Sequence, residues 1–154
     1  MSDELPVTIK VESDQYGQII AGVTFMGFYF ILANNGEIKR TDVDRIIKED
    51  ILEDLSKRME LSPGQMEVHL SDDDILFLYA CFDVMNTLLV SSIGELIIHI
   101  FIEKTLGKEY TKEANKLRDS MIKSNNAYLN ATKRVLISHP DFKLLNDLLV
   151  TLKI

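Results

Sequence analysis

Residues 71–106 read SDDDILFLYACFDVMNTLLVSSIGELIIHIFIEKTL, and this stretch determines the architecture that we predict for the chain. Ser71 can cap a helix, and the carboxylates at 72–74 complement the positive end of a helix dipole. Apolar residues then dominate up to Gly107, a residue type that commonly ends helices. The pattern predicts one helix of about 34 residues, which would be roughly 50 Å long at 1.5 Å per residue.

A second long helix is predicted over residues 110–138, because apolar and small residues recur there in steps of four and three. The residues of this seam are Tyr110, Ala114, Leu117, Met121, Ser124, Tyr128, Ala131 and Val135. Small residues allow close approach to the preceding helix. We therefore expect a long antiparallel hairpin, 71–106 against 110–138, and its excess of apolar surface suggests a homodimer or a stable hetero-complex.

Residues 15–36 contain no charged side chain. This run is long enough to span a bilayer, and its β-branched and aromatic residues also permit strands. We favour a buried helix over 15–33, which Asn34-Asn35-Gly36 would close. Strands and a membrane span remain the alternatives.

Alternating apolar residues over 5–12 and 66–70 predict two short strands that could pair as a small ribbon. A further helix is predicted from Thr41 to about residue 61, since Val43, Ile47 and Leu55 share one helical face. The expected fold is thus a mainly α, single-domain helical bundle over residues 1–154. The long hairpin is its basis, and a two-stranded β ribbon is its optional addition.

The charge of the chain is negative and unevenly distributed. Residues 1–77 carry 16 acidic and 7 basic side chains, a net charge of −9, whereas 78–154 carry a net charge of +2. The total of −7 argues against a general nucleic-acid binder. The uneven distribution is compatible with head-to-tail self-association or with a basic partner for the N-terminal half, but the interpretation that we favour is two solvated faces. Cys81 is the single cysteine and no secretory signal is evident, so we expect a cytoplasmic protein.

A polar residue recurs at every fourth position from 83 to 103, among apolar neighbours. Because a step of four residues turns 400°, this ladder winds around a helix and only adjacent members can share a site. Glu95, His99 and Glu103 form the best candidate trio for a divalent metal. The competing interpretation is a solvated or interface stripe, which we favour because facing helices offer no further inward ligand.

Asp83 lies in the middle of an apolar run, so we expect it to be partly buried. A buried carboxylate needs hydrogen-bond donors or has a raised pKa. A structural hydrogen bond is the expected role, and a general base is the functional alternative.

The helix–Asn-Gly-Glu-Ile–helix arrangement over residues 20–60 resembles the first hairpin of TerB-type tellurite-resistance domains. An aspartate commonly precedes the glycine in that family, whereas this chain has Asn35. The resemblance covers about a quarter of the chain, and we transfer no function from it.

Motifs with catalytic specificity are missing from the sequence: it has no glycine-rich phosphate loop, no GxSxG and no HExxH. The leading hypothesis is therefore a non-enzymatic interaction protein, such as an inhibitor, an immunity-type protein or an adaptor. It would act through helix faces and its acidic N-terminal half, without a cofactor. The alternatives are a metal-binding protein or metal-dependent enzyme that uses Glu95, His99 and Glu103, and a membrane-associated protein that uses residues 15–36.

Overall fold

The computed structural model describes residues 7–10, 13–60 and 67–152. The predicted helical class is confirmed, since helices account for most of this part of the chain. In order they are α1 Ser13–Asn34, α2 Glu49–Glu60, α3 Asp72–Leu89, α4 Ser92–Thr105, α5 Ala114–Leu136 and α6 Phe142–Val150. Short 3-10 helices at Asp42–Arg45 and Lys108–Glu113 precede α2 and α5.

Two strands, β1 Val7–Lys10 and β2 Glu67–Leu70, pair antiparallel with Val7 opposite Leu70. Leu70 is buried and leads directly into the cap of α3. Residues 5, 6, 11, 12 and 66 of the predicted strands lie outside the described residues.

The single helix predicted over 71–106 is wrong, because the chain turns a corner of 94° between α3 and α4. Ser91 caps α4: its hydroxyl oxygen accepts a hydrogen bond from the Gly94 amide (3.3 Å) and donates one to the Leu88 carbonyl (2.6 Å). A Cβ at Gly94 would lie only 1.9 Å from the Leu88 carbonyl oxygen. The corner therefore needs a capping serine at position 91 and a glycine three residues later, at position 94.

The helix predicted to start at Thr41 is also divided. Thr41 caps the short 3-10 helix, with its side chain accepting from the Val43 amide, and α2 begins only at Glu49. Val43 is nevertheless buried, so the predicted apolar face is used even though the backbone is not one continuous helix.

Helices α3 and α5 lie antiparallel along each other. Asn125 donates a hydrogen bond from Nδ2 to Asn86 Oδ1 (3.0 Å), and the rings of Phe82 and Tyr128 are 4.2 Å apart. Asn125 is only 1% exposed. This hydrogen bond favours one register of the two packed helices, because another alignment would leave the buried Asn125 amide without its partner on α3.

The core lies where α1 crosses α3. The α3 side chains that carry it include Leu78, Phe82, Met85 and Leu88, all buried. Helix α1 approaches closely at Gly22, where a Cβ would lie 2.5 Å from the ring of Phe82. One side of α1 is thereby committed to the core.

Within residues 13–60 and 67–152, no single helix combines the length and the apolar composition that a membrane crossing requires. Helices α3 and α4 meet that criterion only as a pair, and the corner between them bends the pair by 94°.

Candidate functional site: the open face of helix α1

The side of α1 that points away from α3 is apolar and uncovered. Ile31 is 56% exposed and Ile20 is 37% exposed. These residues are eleven positions apart, so they span about 17 Å of helix. The open face consists of Ile20, Ala21, Thr24, Gly27, Phe28 and Ile31. A helix that is apolar all round is normally buried all round, so this face lacks a covering element within the described chain.

The first of two grooves beside this face lies between α1, α4 and α5, and its volume is about 320 Å³. Phe28 on α1 and Phe101 on α4 meet edge to face there, with ring centroids 6.0 Å apart. Thr24 is the one polar residue among those that line it within the described chain. The lining residues are Ile20, Ala21, Thr24, Phe25, Phe28, Ile97, Ile98, Phe101, Leu117 and Met121. This groove offers contact area and no group for acid–base or nucleophilic chemistry.

The second groove lies between α1 and α2 and has a volume of about 500 Å³. It shares Thr24 and Phe28 with the first groove, so α1 forms the ridge between the two. Its floor is apolar, but α2 adds charges at the edge. The lining residues are Val23, Thr24, Gly27, Phe28, Phe30, Ile31, Glu49, Leu52, Glu53, Ser56 and Lys57.

Hydrogen bonds at the end of α1 hold the segment that leads into α2, and Asn34 donates one from Nδ2 to Glu49 Oε2 of α2 itself (3.2 Å). The Tyr29 hydroxyl accepts from the Thr41 amide (3.0 Å) and lies 2.8 Å from the Thr41 hydroxyl. Arg40 donates to Asn34 Oδ1 (2.6 Å) and to Asp44 Oδ2 (2.8 Å). The bond to Asp44 raises the pKa of the Arg40 guanidinium. The connection between α1 and α2 is therefore hydrogen-bonded to the end of α1 beside the second groove.

The carboxylates at the edge of the second groove are exposed, and each has a partner. Glu49 Oε2 accepts a hydrogen bond from Asn34 Nδ2 (3.2 Å), and its other oxygen lies 3.9 Å from an Arg40 nitrogen. Glu53 lies 3.2 Å from Lys57. Exposed ion pairs of this kind contribute between 0 and about 1 kcal/mol each. Both carboxylates thus remain accessible to a cation from outside.

The trio predicted to bind metal lies on α4. His99 Nε2 is 3.7 Å from Glu103 Oε2, and Glu103 is also 3.9 Å from Lys108 Nζ. Glu95 and His99 are exposed. No group of three or more His, Cys, Asp and Glu side chains positioned for a metal ion occurs within the described ranges. Metal binding by Glu95, His99 and Glu103 stays a prediction.

Asp83 is half-buried on α3, and this burial raises the pKa of its carboxyl group. The described residues give its carboxylate no hydrogen bond, so the hydrogen-bond partner that we expected is not found among them. It lines neither groove beside α1. A role of Asp83 as a general base stays a prediction.

His139 joins the start of α6 to the start of α3. Its Nε2 lies 2.9 Å from Asp73 Oδ1, and its Nδ1 accepts a hydrogen bond from the Asp141 amide (3.0 Å). Because Nδ1 is the acceptor, the neutral ring carries its proton on Nε2 and donates it to Asp73. Both ring nitrogens are engaged, so His139 has a structural role and no nitrogen left for proton transfer to a substrate.

No protein-family model matches this chain, and neither a curated protein nor a solved structure matches it. The local resemblance of residues 20–60 to a TerB-type hairpin is accordingly not supported by a family match. The function must be inferred from the geometry of the chain itself.

The sequence did not identify the open face of α1 as a site. The available signal was the uncharged run over residues 15–36, which predicts apolar surface on every side of a helix. That signal does not tell which side the neighbouring helices leave uncovered.

Proposed function

We propose that this chain is a non-enzymatic interaction protein whose open α1 face receives an apolar segment of a protein partner. The observation that carries this proposal is helix α1, which has no charged residue after Asp14 and is flanked by two grooves, with Ile20, Ile31 and Phe101 exposed beside them. Exposed contiguous apolar surface of this kind marks interaction sites in proteins.

This surface is better suited to binding a helix of a protein partner than to binding a small metabolite. Small-molecule sites place a few polar groups so that they fix the orientation of the ligand. The groove between α1, α4 and α5 has only Thr24 for that purpose among its described lining residues. A helix laid along a groove instead uses anchors one turn apart, which match the spacing of the exposed α1 residues.

The proposal can be tested by placing a photo-crosslinking amino acid at Thr24 in the full chain, in the cells that produce it. We expect a discrete covalent adduct of higher mass. The same amino acid at Asp119, an exposed position on α5, is the control. Adding Ile31→Glu should abolish the adduct, because a charge in the apolar face would have to be desolvated.

Absence of an adduct at Thr24, or an equally strong adduct at Asp119, would contradict the proposal. An adduct with the mass of two copies of the chain would show that the partner at this face is a second copy of the chain. Far-ultraviolet circular dichroism of Ile31→Glu establishes that loss of the adduct is not loss of folding.

A further inference from the structure

We infer that the partner segment is a basic amphipathic helix, and that it lies in the groove between α1 and α2. This inference rests on the proposed function and specifies the chemistry of the partner. The groove combines an apolar floor with a charged edge of Glu49, Glu53 and Lys57, which is net negative, whereas no charged residue lines the groove on the other side of α1 among the described residues.

The floor is suited to a helix. Thr24, Gly27 and Ile31 follow one another at steps of three and four along α1, so they lie on one stripe. A Cβ at Gly27 would meet nothing within 4 Å, which leaves space at the centre of the stripe. A partner helix can therefore approach α1 most closely at Gly27 and place apolar side chains on either side of it.

The edge determines the sign of the partner's charge. Glu49 and Glu53 are one turn apart on α2, about 6 Å along the helix axis. Lys57 lies one turn further and pairs with Glu53 (3.2 Å), so the edge keeps a net charge of −1. The α2 sequence has five acidic and two basic residues, and the 1–77 half of the chain has a net charge of −9. A partner helix with lysine or arginine at positions four apart would face both carboxylates while its apolar stripe contacts α1.

The same charges disfavour two other occupants. A symmetric contact between two copies through this groove would bring the acidic α2 of both chains into one interface. A membrane rich in anionic lipid would be repelled by Glu49 and Glu53. A basic protein helix has no such penalty.

The test uses two synthetic helical peptides with the same leucine stripe, one flanked by lysines four apart and the other by glutamates. Fluorescence anisotropy with the full chain should show that the lysine peptide binds at least about tenfold more tightly. The double variant Glu49→Lys/Glu53→Lys should weaken lysine-peptide binding by about tenfold or more. Higher salt should weaken it as well, because the charges are exposed.

The matched control is Glu109→Lys/Asp119→Lys, which changes the net charge equally at exposed positions away from the groove. We expect it to alter lysine-peptide binding by less than about twofold. An equal effect of both double variants would overturn the inference, since attraction would then be general. Equal binding of the two peptides, or binding of neither, would overturn it too.

Light scattering of the free chain completes the test. A dimer that Ile31→Glu dissociates would overturn the basic partner in favour of a second copy. If the crosslink from Thr24 to another protein forms and is lost with Ile31→Glu, but is unchanged in Glu49→Lys/Glu53→Lys, the proposed function stands and the basic helix fails. If no crosslink from Thr24 forms even without these substitutions, the proposed function itself is contradicted.

Discussion

Helices α1 and α3 are similar in composition and differ in their surroundings. α1 has no charged residue after position 14, and α3 has only Asp83 after its first turn. Yet α3 is covered by α1, α5 and α6, whereas α1 keeps an open face from Ile20 to Ile31. The comparison teaches that apolar composition predicts that burial of a helix is favourable. The arrangement of the neighbouring helices determines whether the chain itself buries it.

We expect the largest loss of stability from a substitution at the corner between α3 and α4. Gly94→Ala places a Cβ 1.9 Å from the Leu88 carbonyl oxygen, so the backbone between α3 and α4 must move. We expect a loss of about 4 kcal/mol or more in the free energy of unfolding, measured by urea denaturation. A loss below about 1 kcal/mol would show that the corner is not built as described.

One truncation to alanine on each helix measures how much the burial of that side chain contributes to the free energy of unfolding. Leu78→Ala on α3 removes a fully buried side chain and should lower the free energy of unfolding by about 3 kcal/mol. Ile31→Ala on the open face of α1 should change it by less than about 0.5 kcal/mol. Urea denaturation of the free chain measures both, and equal losses would mean that Ile31 is covered.

A third substitution should change the stability of α1 and its binding of a partner helix in opposite directions. Gly27→Ala meets no neighbour within 4 Å and should stabilise the helix by about 0.5–1 kcal/mol. The same methyl group narrows the groove between α1 and α2, so binding of the lysine peptide should weaken. Thermal denaturation and peptide anisotropy on one preparation test this, and tighter binding would contradict the proposed contact at Gly27.

The smallest effect concerns the charge on α3. Burial raises the folded-state pKa of Asp83 above its unfolded value, so the ionised carboxylate destabilises the fold. Stability of the parent chain therefore falls as the pH rises through the window between these two values, and the full penalty persists above it. Asp83→Asn should be more stable at neutral pH, with the advantage vanishing below about pH 4.

Urea denaturation across this pH range provides the measurement. Asp119→Asn, at an exposed carboxylate on α5, controls for the lost negative charge and should show no comparable advantage. A less stable Asp83→Asn at neutral pH would mean that the Asp83 carboxylate makes a favourable interaction.

Local rules explain which parts of the fold could be predicted. Ser71 caps α3 and exchanges hydrogen bonds with Asp74, since serine followed by acidic residues specifies a helix start regardless of the rest of the chain. Cys81, which stands in an apolar run of the sequence, is buried. These features depend on residues within one or two turns of each other.

The corner at 90–94 and the open face of α1 could not be predicted in this way. Helical periodicity continues through Ser91, so the sequence pattern indicates a member of the polar ladder at this position and not a helix cap. Gly94 has a role only because the Leu88 carbonyl folds back onto it. All sides of α1 are similarly apolar, so its sequence does not indicate which side the neighbouring helices cover. Tertiary packing determines which side stays exposed.

Cys81 gives this protein a built-in reporter of core opening. Its thiol is fully buried, and burial raises its pKa far above the ordinary value. It can react with a thiol reagent only when α3 separates from its neighbours, because the nucleophile is the exposed thiolate. The labelling rate of the unaltered chain therefore measures how often its centre opens, in the same way as hydrogen exchange but at one chosen atom.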